Sequence, residues 1–197
     1  MKIHILFGMI GFILLSGCNR AAEKNPRFYD AGVSRELAGH RKAQIKNLKY
    51  ELSFNIPRQK EAAIEGDITL RFDLASRQEV LIDFREEREK IKEVIANGVP
   101  VDKVRFENEH IILPASSTVE GANGIRIRFT AGNQSLNRND EYLYTLLVPD
   151  RARTVFPCFE QPNLKAEFTL QLELPADWKA VSNTYIRSET VTDDRKT

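Results

Sequence analysis

The chain has 197 residues, 42% hydrophobic and 29% charged, with 29 Lys plus Arg against 28 Asp plus Glu and a net charge of +1. That length gives room for one domain with a sizeable core. A near-neutral balance without a long basic run excludes the electrostatic footprint of nucleic-acid binding, so no nucleic-acid partner is expected.

The first 18 residues read as a targeting segment rather than fold. Lys2 supplies a positive start, and Ile5 to Leu15 form an apolar run too short to span a bilayer comfortably. Leu15-Ser16-Gly17-Cys18 matches a lipobox, the small-residue site before a cysteine that bacterial lipoprotein processing modifies and cleaves. A plain secretory signal that happens to contain a cysteine is the other reading; the position of Cys18 at the expected cleavage point favours the lipobox. Cys18 is then the lipid attachment site, and the mature protein is an exported, membrane-anchored lipoprotein of a bacterial cell envelope, because two or three acyl chains anchor stably where one is marginal. Residues 19–30 read as a flexible tether, polar and aperiodic, and residues 31–197 as the folded domain.

Ser34 is placed to cap a short helix, with Leu37, Ala38 and Ile45 at helical spacing and Arg41-Lys42 near its end, where they complement the dipole. His40 on that helix reads as a solvated surface residue. From Ile45 the period changes to two: Leu48, Tyr50, Leu52, Phe54 and Ile56 alternate with polar residues, a half-buried strand. The signal recurs in Ile64 to Leu74 through Ile68, Leu70 and Phe72, in shorter runs at Val80 to Phe84, Ile91 to Ile95 and His110 to Leu113, and in Ile125, Ile127 and Phe129. Phe168, Leu170, Leu172 and Leu174 close the series. Asn97-Gly98 marks a hairpin turn, and Arg85 to Lys90 (REEREK) a solvated loop. Clean alternation without long intervening helices predicts an all-β fold, an antiparallel β-sandwich with one short N-terminal helix. Its expected core is Leu52, Phe54, Ile68, Leu70, Phe72, Ile127, Phe129, Phe168, Leu170 and Leu172.

Two stretches could carry function. One is the loop Gln134 to Asp140 with Tyr142 and Tyr144 on one face of the short strand that follows; such tyrosines pack more often than they bind. The other is Arg151 to Ala166 (RARTVFPCFEQPNLKA), where Pro157 and Pro162 forbid a long helix or a central strand and dictate a bent crossover with its aromatics inward. It either plugs the end of a sandwich with Phe156 and Phe159 or shapes a site. With Cys18 acylated, Cys158 has no disulfide partner; it is either an inert buried thiol or a reactive one, and the apolar setting favours the first.

Arg153, Phe156, Pro157, Cys158, Phe159, Pro162, Lys165, Ala166 and Phe168, followed by Asp177-Trp178-Lys179-Ala180-Val181-Ser182-Asn183, closely resemble the N-terminal domain of the aminopeptidase N family, gluzincin zinc peptidases that remove N-terminal amino acids from peptides. More weakly, the resemblance runs from about Gly32 to Asn183. Glu160 stands where the family usually has Asp, followed by Gln161. The resemblance implies a saddle-like β-sandwich domain whose corner, Arg153 and Phe156 to Pro162, lies beside the catalytic domain near the peptide's amino end. Glu160 is then either part of that contact or only an acceptor for its own bend. Family residues that hold the substrate's amino group match Leu146 and Val148 here; neither side chain accepts a hydrogen bond, so that role is not carried over.

Catalysis in that family needs two His on one helix turn, a later Glu and a Glu base. The mature chain has only His40 and His110, no HExxH and no GxMEN string. Zinc is therefore expected only in a catalytic domain outside this chain, and the chain alone is expected to be inactive. Two functional readings follow. One is the N-terminal domain of a lipoprotein aminopeptidase, with the membrane, the catalytic domain and the peptide substrate as partners. The other is a stand-alone β-sandwich lipoprotein that binds a peptide, glycan or protein. Thr190 to Thr197 (TVTDDRKT) reads as neither a capped helix nor a closing strand, which favours a domain truncated at its C-terminal end.

Overall fold

The computed structural model describes residues 25–102 and 104–197; Cys18 and its lipobox lie outside them. The stretch read as tether is, from Pro26, not free. Pro26–Tyr29 forms a 3-10 turn, and Phe28 and Tyr29 pack on a small apolar cluster of Leu37, Leu81 and Ile112. Two large rings this close to the domain have more to gain from burial than from staying solvated.

Helix α1 (Arg35–Gln44) begins as expected, the Ser34 side chain accepting from the Leu37 N–H at 3.1 Å. It ends at Gln44, so Ile45 belongs to the following strand. Among the described residues thirteen strands follow: β1 (Ile45–Asn55), β2 (Glu65–Leu74), β3 (Val80–Asp83), β4 (Ile91–Ala96), β5 (Val99–Pro100), β6 (Arg105–Glu107), β7 (His110–Leu113), β8 (Gly121–Thr130), β9 (Leu136–Arg138), β10 (Leu143–Thr145), β11 (Glu167–Pro175), β12 (Val191–Thr192) and β13 (Arg195–Lys196). They form an eight-stranded sheet in the order β12-β13-β11-β1-β2-β8-β4-β5, a three-stranded sheet β3-β7-β6 and a two-stranded hairpin β9-β10. One continuous apolar core joins the inner faces of the two larger sheets, Ile68, Leu70, Ile125 and Ile127 from the first meeting Ile82, Ile111 and Leu113 from the second. The β4–β5 turn is Asn97-Gly98, with φ of 52° and 82°, the double positive φ that a two-residue hairpin turn demands.

Four expectations need correction. First, β11 runs parallel to β1, Tyr50 beside Phe168 and Leu52 beside Leu170, so the large sheet is mixed rather than wholly antiparallel. Second, Phe168 and Leu170 are 55% and 44% exposed, because the second layer does not reach over β11; Phe54 and Leu172 are only partly buried, and the other six residues of the expected core are buried. Third, Arg41 does not serve the helix dipole from the surface but is 3% exposed and ion-paired in the interior, while His40 is half-buried, 2.6 Å from Gln78 Oε1 and packed on the Phe28 ring. Fourth, Thr190 to Thr197 does close, as a β12–β13 hairpin turning at Asp193 (φ 49°) with β13 paired to the end of β11. Arg195 fastens it, donating to the carbonyls of Ile56 and Glu173 at 3.0 Å each.

Candidate functional site

The corner is built from a 3-10 turn, Ala152–Thr154, followed by an extended segment that adds itself to the three-stranded sheet. Asp83 N–H donates to the Cys158 carbonyl (2.8 Å) and Cys158 N–H donates to the Asp83 carbonyl (3.0 Å), a single antiparallel bridge to β3. Pro157 has no N–H to spend and sits just before this bridge, where none is needed. The aromatics turn inward: Phe156 meets Phe54 edge-on with ring centroids 6.4 Å apart, and Phe159 meets Phe72 at 5.6 Å and 83°. Arg153, Phe156, Pro157, Cys158, Phe159 and Gln161 are buried, Glu160 is half-buried and Pro162 is exposed.

Beneath the corner lies a charged hub absent from the sequence-based reading. Asp83, fully buried, accepts from Arg41 Nη2 on Oδ1 (2.6 Å), from Arg41 Nη1 on Oδ2 (2.8 Å) and from the Glu160 backbone N–H on Oδ2 (2.8 Å). His110, also fully buried, places Nδ1 2.8 Å from Asp83 Oδ1, a close polar contact off the ideal hydrogen-bond direction, and donates from Nε2 to the Asp30 carbonyl at 3.0 Å. Burial pushes the Asp83 carboxyl up, but the Arg41 charge, the close His110 imidazole and the Arg41 hydrogen bonds outweigh it and hold the group below the usual carboxylate range. One residue thus ties together the helix, two strands, the corner and, through His110, the N-terminal segment. The clue in the sequence was a single acid inside the apolar run VLIDF.

Glu160 Oε2 accepts from the Arg153 N–H at 2.6 Å, so it does satisfy a donor of its own bend. Burial raises its carboxyl, with the Arg153 N–H and charge acting in the other direction. Burial, reinforced by the Glu160 and Asp83 charges, pushes the Cys158 thiol well up, which is the condition of an inert cysteine rather than a nucleophile. Phe159 N–H donates to the hydroxyl of buried Tyr50 at 2.9 Å. Tyr50→Phe strands that amide in the core and is expected to cost about 1–3 kcal/mol in chemical denaturation; a loss below about 0.5 kcal/mol, the size of a benign surface change, would show the amide does not depend on it.

Tyr142, Tyr144, Leu146 and Val148 lie apart from this hub on and after the β9–β10 hairpin, all exposed, the two tyrosine rings 5.9 Å apart. The base of that hairpin joins the corner through Ser135, whose Oγ is 2.7 Å from Thr154 Oγ1 and whose carbonyl accepts from Leu146 N–H.

The donors present do not fit a zinc ion. His110 is committed to Asp83 and Asp30, and the Asp83 oxygens are filled by Arg41 and the Glu160 N–H. Among the described residues, no three His, Cys, Asp or Glu side chains form a group that could hold a metal. No helix among them is long and apolar enough to cross a membrane.

A mixed sheet of eight strands over a three-stranded one, with the FPCFEQP corner bridged to β3, is the class of fold the chain presents. The match of residues 46–197 to the peptidase M1 N-terminal domain model places the chain in that family. It is 32% identical over 165 residues to aminopeptidase N of Streptomyces lividans, covering 77% of this chain and 19% of that protein. It is 25% identical over 156 residues to leucine aminopeptidase 2 of Candida glabrata, covering 70% and 23%. The fold matches the crystal structure of the M1 zinc metallopeptidase from Deinococcus radiodurans with a TM-score of 0.65 at 19% identity, covering 78% of this chain and 38% of that one. The chain therefore spans about a fifth of the length of these two relatives.

Proposed function

We propose that this chain is the N-terminal, substrate-flanking domain of a membrane-anchored zinc aminopeptidase, and that the full-length protein removes N-terminal amino acids from peptides. The observation that carries the reading is the family match over residues 46–197, joined to an M1-like fold and the FPCFEQP corner. The domain's part is to present a rigid surface: two prolines and a buried ion pair fix the corner before anything docks on it, which lowers the entropic cost of association. Zinc and the catalytic groups belong to the domain beyond this one. Anchoring rests on the lipobox at Cys18.

The test is expression of the complete coding region. Chelator-sensitive release of an amino acid from an aminoacyl substrate is expected of the full-length protein and not of residues 1–197 alone. A full-length protein without HExxH and without that activity would instead favour the stand-alone binding lipoprotein. Cys18→Ala is expected to move the mature protein from the membrane to the soluble fraction or leave it unprocessed; a mature N-terminus other than acylated Cys18 in mass spectrometry would rule the anchor out. Glu160→Gln keeps an oxygen to accept from Arg153, so domain stability is expected to stay within about 0.5 kcal/mol of wild type. A fall in turnover or domain association of the full-length protein on that background is expected of a corner that faces the catalytic domain, and no change in either would make Glu160 purely structural.

A further inference from the structure

The chain enters the domain against the side of α1, and it is fastened there. Asn25 Oδ1 accepts from the Arg27 N–H, the Phe28 ring packs on His40 with centroids 4.8 Å apart, and the Tyr29 hydroxyl meets Glu79. The Tyr29 and Asp30 carbonyls accept from Asn108 Nδ2 and His110 Nε2. Asn25, His40 and Gln44 line one cavity, which puts the point of entry beside the helix. Asn25 is the seventh residue after Cys18, so the stretch between them, fully extended, reaches at most about 25 Å. A domain held that close to a membrane and gripped at one edge is brought down on the surface around that edge.

The surface in question is cationic. Arg35, Gly39, Lys42 and Ala43 are all exposed, spaced i, i+4, i+7 and i+8 along one side of α1, and exposed Lys46 follows just past its end. Among the described residues none of these three cations has an acid within ion-pair distance. Glu36, the one acid of the helix, is taken by Arg27 at 3.2 Å, and Asp73, opposite Lys46, accepts from Asn47 Nδ2 at 2.6 Å. The outer face of the eight-stranded sheet is built differently: Lys49 is answered by Glu167, Arg71 by Glu51, Arg126 by Asp67 and Arg128 by Glu93. Gly39 and Ala43, small and exposed, put no bulk between the α1 cations and a flat partner.

We propose that the Arg35, Lys42 and Lys46 face of α1 docks on the anionic phosphate headgroups of the membrane that holds the Cys18 lipid. The inference rests on the reading of Cys18 as the anchor. Acyl chains supply affinity but no orientation; a basic surface beside the tether supplies the second. Attraction to an anionic surface fades within a Debye length, about 8 Å at physiological salt, so it acts only on cations that the tether has already brought near. The β1–β2 turn, at the other end of the eleven residues of β1, then stands roughly 35 Å further from the bilayer.

The experiment uses the acylated mature protein in vesicles that carry a quencher on the lipid headgroup. A fluorophore is placed on Ala43→Cys, beside the cations, or on Gln59→Cys, in the exposed β1–β2 turn; buried Cys158 stays unlabelled. In vesicles containing phosphatidylglycerol the Ala43→Cys label is expected to be quenched at least threefold more than the Gln59→Cys label. That difference is expected to vanish in phosphatidylcholine vesicles, in 0.5 M salt, or when Arg35, Lys42 and Lys46 are all replaced by Gln. Each cation near an anionic surface multiplies occupancy roughly fivefold, so the triple variant is expected to dock roughly 100-fold less well. An unchanged denaturation midpoint shows that this variant is folded. An acylated protein that floats with the vesicles but quenches equally at both sites overturns the docking and leaves the anchor standing. Stronger quenching at Ala43→Cys that ignores lipid charge and salt comes from the tether alone and overturns the role of the cations. An unquenched Ala43→Cys that instead cross-links to a second copy gives the face to a dimer and overturns the proposal. A mature protein that lacks an acylated Cys18 and stays off the vesicles overturns anchor and docking together.

Discussion

Asp83→Ala is expected to lower the unfolding free energy by about 3–5 kcal/mol, the cost of leaving a buried guanidinium without its counter-charge. The loss is that large because Asp83 serves four partners: both Arg41 amino groups, the Glu160 N–H and the His110 imidazole. Urea denaturation reads it as a lower midpoint at unchanged slope. Thiol labelling reads the same event at the corner, because Cys158 is sealed by its bridge to Asp83 and labels only when that bridge opens. Arg41→Met with Asp83→Leu is expected to recover part of the stability, since an apolar replacement of both charges removes the desolvation cost, but not all of it, because the Glu160 N–H loses its acceptor and His110 its carboxylate neighbour. The pH dependence follows from the depressed carboxyl. A folded value below the unfolded one gives stabilisation that is complete above the unfolded carboxylate range, about pH 4, and is lost as pH falls through the lower folded value. Wild type and Asp83→Asn are therefore expected to converge in stability as the pH drops below about 4. A loss under about 1 kcal/mol for Asp83→Ala, well inside the range of ordinary substitutions, would remove Asp83 from the centre of the corner.

The sheet residues that the sequence placed correctly are those with a partner layer on one side and water on the other. Ile68, Leu70 and Phe72 in β2, and Ile127 and Phe129 in β8, alternate and are buried as the alternation requires. Phe168 and Leu170 obey the same alternation and are nevertheless exposed. Period two says which side chains share a face; it does not say whether a second layer covers that face. Nor does it carry direction, so the parallel pairing of β1 with β11, more than a hundred residues later, was hidden. The corner was legible because prolines and aromatics leave few backbone options, whereas the hub beneath it was not. Arg41 sits near a helix end, where a basic residue usually needs no further explanation, and its partner on β3 is 42 residues away. The closing hairpin was missed for a different reason: TVTDDRKT forms strands of two residues, too short for any periodic signal.

The second large effect is expected where the sheet and its core meet most tightly. Gly66 in β2 lies opposite Phe129 in β8, and the Phe129 ring lies across it: a Cβ on Gly66 would stand 2.3 Å from Cζ of that ring. The ring has little freedom to yield. Phe129 is fully buried, edge-on to Phe54 at 6.1 Å and to Phe84 at 5.7 Å. Removing it in Phe129→Ala is expected to cost about 3–5 kcal/mol, as truncations of large core rings do. Gly66→Ala is expected to cost about 1–3 kcal/mol from overpacking, although alanine suits a strand no worse than glycine does. The two sites are in contact, so their effects are not additive. In a Phe129→Leu background the methyl of Gly66→Ala finds the space the ring tip vacated, and its cost is expected to fall by about 1 kcal/mol or more, a coupling within the range seen for contacting residues. Equilibrium denaturation of the four proteins in that cycle decides the matter. Equal costs of Gly66→Ala in both backgrounds would mean that the strands, not the ring, absorb the added methyl, and that Gly66 is there for the backbone rather than for Phe129.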